Sequence, residues 1–200
     1  MKVVGLILAG GEGQRLGGVR KADLRLSNRA LWRWAAAALA DQCDTVLIST
    51  GSDFRRYGDL PVVLDAHDGI AGPCAGLLAA ARWCASHAPG ALMVSTAVDC
   101  PFFPPDFVSR ALALLGESGA VVAAHGAREY PVTALWRSEK LRAILEAIPP
   151  APRGPRARDV LSVMGSVPLD YARERRTNPF AGINTLGELL AISRSVSTKS

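Results

Sequence analysis

Leu8-Ala9-Gly10-Gly11-Glu12-Gly13-Gln14-Arg15-Leu16-Gly17-Gly18-Val19-Arg20-Lys21 follows directly on Lys2-Val3-Val4-Gly5-Leu6-Ile7-Leu8, a short apolar run. That run has the length and β-branched content of a buried strand. Five glycines (Gly10, Gly11, Gly13, Gly17, Gly18) then fall within nine residues. Glycine lets main-chain N–H groups approach an anion and permits the positive φ angles that turn several of them toward one point. Arg15 and Lys21 add two cations beside those donors. A strand running into a cationic loop rich in free donors suits a nucleoside triphosphate. The dinucleotide fingerprint G-x-G-x-x-G does not fit, because Leu16 stands where its last glycine would be, and the P-loop fails because Val19 occupies the lysine position. Taken alone, these residues also read as an ordinary glycine-rich turn between a strand and a helix.

Outward from this loop, strands and helices alternate. Asp23–Leu26 reads as a short extended piece closed by a turn at Ser27-Asn28, asparagine being the next best residue after glycine at positive φ. Leu31, Trp34, Ala35, Ala38 and Leu39 recur at helical spacing over 30–41. Thr45–Ser49, Pro61–Leu64 and Ala91–Ser95 read as buried strands, and Pro73 opens a helix through Cys84 whose alanines allow close approach to a sheet. A further helix is expected from Pro104-Pro105-Asp106 to about Leu115, then strands at 120–123 and 132–135 and a helix over 138–147. Such alternation predicts an α/β fold with a mostly parallel central sheet covered on both faces. Ligands then bind at the carboxyl ends of the strands, where Gly10, Ser49, Asp65 and Asp99 all fall.

The chain of 200 residues has the size of one domain, and 49% of it is hydrophobic, enough for a substantial core. No apolar run approaches the length of a membrane span, and the N-terminus lacks the pattern of a signal peptide, so a cytoplasmic protein without a membrane partner is expected. Cys43, Cys74, Cys84 and Cys100 form no C-x-x-C pair and read as free, buried thiols. The net charge of +5 raises nucleic acid as a partner, but the basic segment Arg153–Arg176 has Tyr171 as its only aromatic and no recognition helix. No nucleic-acid partner is expected. Four lysines stand against nineteen arginines, so a lysine inside the phosphate loop points to a need for a compact point charge.

Asp99 directly follows the fourth strand, and Pro101 biases Cys100 toward an extended conformation that keeps the carboxylate at the rim. Mg²⁺ takes one or two carboxylates and completes its shell with water and phosphate oxygens, so one aspartate suffices. A helix-capping or turn aspartate is the competing reading.

The ordered set of motifs resembles the molybdenum cofactor guanylyltransferases of the nucleotidyltransferase superfamily. Leu8-Ala9-Gly10-Gly11, Arg15, Gly17-Gly18 and Lys21 match their opening. Asp65, Gly72-Pro73-Cys74-Ala75-Gly76, Val98-Asp99-Cys100-Pro101 with Pro104-Pro105-Asp106, Tyr130–Leu135 and Ile183-Asn184-Thr185 follow in the same order. The resemblance implies a three-layer α/β/α Rossmann-like nucleotidyltransferase fold, with residues 1–192 as a single domain and 193–200 as a polar tail. It implies transfer of GMP from GTP to the terminal phosphate of the molybdenum-pterin cofactor, with release of pyrophosphate. It assigns Arg15, Lys21 and Asp99 to catalysis, and GTP binding to Leu8, Ala9, Gly10, Gly11, Lys21, Asp65 and Asp99. Mg²⁺ is the implied cofactor, on Asp99 and Asn184. Delivery proteins for the pterin and recipient molybdoenzymes are its implied onward partners.

Asp65 is placed by the resemblance at the nucleotide, on guanine N1–H and N2–H₂ or on ribose hydroxyls. Ser49 stands where the family commonly has asparagine, so that binding role is not carried over. Gly182 and Leu186 replace an asparagine and a proline beside Asn184, and an Asn184-Thr185 helix cap competes with metal binding there. Gly11 with Ala75-Gly76 matches the guanylyl rather than the cytidylyl members. Arg128, Tyr130, Pro131, Arg156 and Arg158 are candidates for the pterin. A cytidylyltransferase acting on the same cofactor and a non-catalytic nucleotide-binding relative are the alternatives.

Overall fold

β1 (Val3–Leu8) lies inside a seven-stranded sheet, third from one edge, because its side chains are apolar toward both faces. Val4 and Leu6 point into one core and Val3 and Ile7 into the other, the pattern of a strand covered on both sides. A computed structural model of the chain describes residues 1–10, 19–65, 69–149 and 154–197. Gly11 and Arg15, and with them most of the glycine loop, lie outside the described residues.

The remaining strands are β2 (Arg25–Leu26), β3 (Arg29–Ala30), β4 (Thr45–Ser49), β5 (Val62–Val63), β6 (Leu92–Ala97), β7 (Ala120–His125), β8 (Arg128–Arg137) and β9 (Ser166–Asp170). The large sheet runs β5-β4-β1-β6-β8-β7-β9. β8 alone runs against its neighbours; the other pairings are parallel. From β1 the chain adds β4 and β5 on one side and then β6 on the other, so the order reverses beside β1. That reversal opens a crevice at the carboxyl ends of β1 and β6.

Among the described residues the α-helices are α1 (Leu31–Ala40), α2 (Pro73–His87), α3 (Phe107–Leu115), α4 (Ser138–Ala147), α5 (Ala157–Met164) and α6 (Leu186–Ser197). α2, α4 and α5 cover one face around Leu77, Leu78, Leu141, Leu145, Val160 and Trp136. α1 and α3 cover the other around Leu39, Phe107, Ala111, Tyr171 and Phe180. These are the three layers expected from the alternation. A smaller cluster of Leu26, Leu31, Ile183 and Leu189 seats α6 against the β2–β3 hairpin. The hairpin turns at Ser27 (φ 48°) and Asn28 (φ 62°), both left-handed, as a two-residue loop of this hand requires.

Several expectations are corrected. Asp23 is not extended but closes a 3₁₀ turn over Lys21–Asp23. The strand expected at 132–135 is the middle of a ten-residue strand. Pairing jumps from Val122↔Ala134 to Ala123↔Tyr130, so Pro131–Thr133 stand out from the ladder as a bulge that tolerates the proline. α5 and β9 are elements the sequence reading did not include. α6 also continues past Ile192 to Ser197, so the polar end of the chain begins inside a helix. Among the described residues no helix is long and apolar enough to cross a membrane.

Candidate active site

Register brings the predicted residues to one level. Leu8 pairs with Ser49 on one side and Ala97 on the other, and Ser49 pairs with Val63. Gly10, Gly51, Asp65 and Asp99 each stand two residues beyond those positions, so the four line the same rim. A cleft of about 320 Å³ opens there, walled by Leu8, Ala9, Gly10, Lys21, Pro73, Ala97, Val98, Asp99 and Val132. A wider depression of about 560 Å³ runs along α1 between Arg29 and Leu60. It lies away from the strand ends and has no carboxylate in its wall.

Lys21 reaches the cleft from the 3₁₀ turn, which the fully buried Ala22 pins to the core. Its ammonium donates to Asp99 Oδ2 at 2.6 Å and to Asn184 Oδ1 at 2.8 Å. Three predicted residues, from a loop, a strand end and the last segment of the chain, thus meet at one point. Exposed ion pairs of Arg20 with Asp53 (3.2 Å) and Arg55 with Asp23 (2.6 Å) flank the turn and add little energy of their own.

The helix cap expected at Asn184-Thr185 is present, and it is made by Thr185 and Glu188 rather than by the Asn184 side chain. Thr185 Oγ1 accepts from the Glu188 N–H at 3.1 Å, and Glu188 Oε2 accepts from the N–H groups of Asn184 (2.7 Å) and Thr185 (3.1 Å). This is a capping box at the start of α6, and it leaves the Asn184 side chain for Lys21. The backbone N–H of Asn184 is the main cause holding the Glu188 carboxyl below its usual range. Asn184 Nδ2 donates to Gly182 O at 3.0 Å, which turns Oδ1 toward the ammonium. Ile183 N–H donates to Asp99 O at 3.0 Å and ties the segment to the end of β6. A Cβ at Gly182 would lie 3.0–3.1 Å from the Asp99 carboxylate, so the glycine is what lets this segment approach so closely.

A hard cation fits the donors present. Asp99 and Asn184 offer two oxygens from separate elements that already converge on one positive centre, the Lys21 ammonium. Among the described residues no group of three His, Cys, Asp or Glu side chains is placed to hold a metal by itself. The set therefore suits a divalent ion that brings water and phosphate oxygens as its other ligands.

Asp65 stands on the far side of Gly10 from Asp99. Its N–H donates to Gly51 O at 2.9 Å, and its Oδ1 accepts from Ser49 Oγ at 2.6 Å. A Cβ at Gly10 would lie 3.7 Å from Asp65 Oδ2 and 3.2 Å from Gly51 N, so the strand ends abut where both are glycine. The first turn of α2 presses on the same place: a Cβ at Gly76 would lie 2.6 Å from Ser49 Oγ and 2.9 Å from Leu8 Cδ2. Gly72, at φ 66°, starts that helix and Pro73 occupies its first turn.

The pterin candidates are more scattered. Arg128 stacks over Tyr130 at 5.2 Å, and the Tyr130 hydroxyl accepts from Asn178 Nδ2. Tyr130 packs on Phe180 within the core on the α1–α3 face, so Val132, from the bulge, is the residue of its segment in the cleft wall. Arg156 and Arg158 are exposed at the start of α5. Gly154 packs against Ala71, beside the Pro73 wall, which brings that start near the cleft. The sequence reading put Ser49 on the rim but gave it no role, and it did not single out Val132 or Glu188. The T-x-x-E pattern of Thr185 and Glu188 was the signal for the last.

The model of the MobA-like NTP transferase domain matches residues 5–170. A molybdenum cofactor guanylyltransferase of Rhodopseudomonas palustris strain HaA2 is 43% identical over 66% of this chain and 64% of its own length. One of Acidiphilium cryptum strain JF-5 is 38% identical over 92% of this chain and 90% of its own. In structure, the molybdopterin-guanine dinucleotide biosynthesis protein A of Archaeoglobus fulgidus superposes with a TM-score of 0.72 at 22% identity, covering 98% of this chain and 99% of that one, which speaks for the fold. By domain model and by relatives aligned over nearly its full length, the chain belongs to the MobA-like NTP transferases, among the molybdenum cofactor guanylyltransferases.

Proposed function

We propose that this protein transfers GMP from GTP to the terminal phosphate of the molybdenum-pterin cofactor. The observation that carries the reading is the meeting of Lys21, Asp99 and Asn184 in a cleft at the switch between β1 and β6. An oxygen of the pterin phosphate forms a bond to the α-phosphorus of GTP, and the bond from that phosphorus to the bridging oxygen breaks. Pyrophosphate leaves with the electron pair. The attacking group is already an anion, so no general base is required, and the work is to bring two anions together in line.

Leu8, Ala9, Gly10 and Gly11 are assigned to main-chain contacts with the nucleotide, and Asp65 to the nucleoside. Lys21, with Arg15, is assigned to the charge that builds on the departing pyrophosphate. Asp99 and Asn184 are assigned to Mg²⁺, which when bound supplies charge neutralisation at the phosphate oxygens. Asp99 and Asn184 would hold the ion, and the role assigned to the Lys21 ammonium is toward phosphate. Residues 1–192 serve as one nucleotidyltransferase domain in this reading, acting in the cytoplasm.

Incubating the protein with Mg²⁺, the pterin cofactor and each nucleoside triphosphate, then weighing the product, tests this directly. A GMP adduct and one pyrophosphate per turnover are expected with GTP. A CMP adduct instead would move the protein to the cytidylyl branch, and no adduct with any nucleotide would end the enzymatic reading.

A further inference from the structure

We infer that Ser49 is a positioning residue for nucleotide recognition, acting through Asp65. The inference rests on the assignment of Asp65 to the nucleoside and names what holds that carboxylate in place. β5 has only two residues, Val62 and Val63, on the outer edge of the sheet, so it gives Asp65 little rigidity. Ser49 ends β4, one strand further in, and is 1% exposed. Its hydroxyl donates to Asp65 Oδ1 at 2.6 Å. A buried hydroxyl beside a carboxylate has no competing water, and an ionised carboxylate can only accept, so the direction of this bond is fixed. With Oδ1 engaged and the Asp65 N–H on Gly51 O, the residue is held through both its side chain and its main chain. Its other oxygen, Oδ2, faces Gly10, where the phosphate loop begins.

α2 completes the arrangement. Gly76 leaves the space that the Ser49 hydroxyl fills; a Cβ there would come within 2.6 Å of Oγ. Serine is short enough to stay beneath Asp65 in that space. Its contribution is therefore carried by the aspartate and not by a contact of its own with the ligand.

The test measures Mg·GTP affinity and steady-state constants for Ser49→Ala, Asp65→Ala and the double variant, with thermal midpoints recorded alongside. Ser49→Ala should weaken GTP binding about ten-fold, the loss of one hydrogen bond to a charged group. The loss should fall on KM rather than on kcat, and Ser49→Thr, which keeps the hydroxyl, should recover part of it. In the Asp65→Ala background, removing the Ser49 hydroxyl should change affinity less than two-fold. Wild-type affinity in Ser49→Ala, or full additivity of the two substitutions, overturns the inference. If the wild-type protein binds no nucleotide, the proposed function itself falls, an outcome distinct from those two.

Discussion

The ammonium of Lys21 balances Asp99 at 2.6 Å, and the two side chains keep 29% and 14% of their surface open to the cleft. Removing the lysine leaves a carboxylate that water still reaches, so the fold should tolerate the change. The reaction should not, because a preorganised charge that acts on developing negative charge commonly accounts for ~10²–10³ in rate. Lys21→Ala should lower kcat by that order with a thermal midpoint within a few degrees of wild type; normal turnover would remove Lys21 from the mechanism. Lys21, Asp99 and Asn184 were legible in the chain because each sits in a motif whose neighbours constrain it: glycines, a strand end followed by Cys-Pro, and an Asn-Thr pair. Ser49 was not. Its meaning depends on a hydrogen bond between two strand ends and on the room left by Gly76, facts of packing that no spacing encodes. Gly182 likewise reads in sequence as a lost asparagine, whereas in space it is the gap that admits Asp99.

α6 begins with the reciprocal bonds of Thr185 and Glu188, and these fix the segment that presents Asn184. The folded-state pKa of Glu188 lies below its ordinary value of 4.5. The cap is accordingly at full strength above that value and is lost as pH falls through the lowered one. Amide exchange at Asn184 and Thr185 should therefore speed up below about pH 4.5 beyond its intrinsic pH dependence. Glu188→Gln should abolish that added pH dependence, and a flat profile in the wild type would deny the capping box its role. β1, β4, β6 and α1 to α4 were readable because apolar runs and helical spacing bound them. α5 went unread in an arginine-rich stretch, although Val160, Leu161 and Met164 fall on one face and Gly165 ends the helix left-handed at φ 67°. β9 is an edge strand containing Pro168, a residue that argues against a strand unless its partner lies on one side alone. Pro131 hid the true length of β8 in the same way.

Of the four cysteines, Cys74 and Cys84 are buried in the core under α2, Cys100 is buried beside Asp99 and Phe180, and Cys43 is half-buried against the other core. Burial raises the Cys74 and Cys84 thiols to about 11 and the Cys43 thiol to about 12, and it pushes Cys100 up further, beside Asp99. At pH 8 a thiol with a pKa near 11 is ionised to roughly one part in a thousand, and the thiolate is the reactive form. Ellman's reagent should thus find almost no thiol in the native protein within minutes and all four after denaturation. Rapid native labelling would show the cores to be looser than described. The Lys21–Asn184 contact joins positions 163 residues apart, and it closes only after the seventh strand of the sheet has ended at Asp170. A polypeptide leaving the ribosome therefore completes its framework before it can assemble its working centre. In the proposed reading competence comes later than that framework, and a product of interrupted translation that stops before Asn184 would carry the platform without the means to use it.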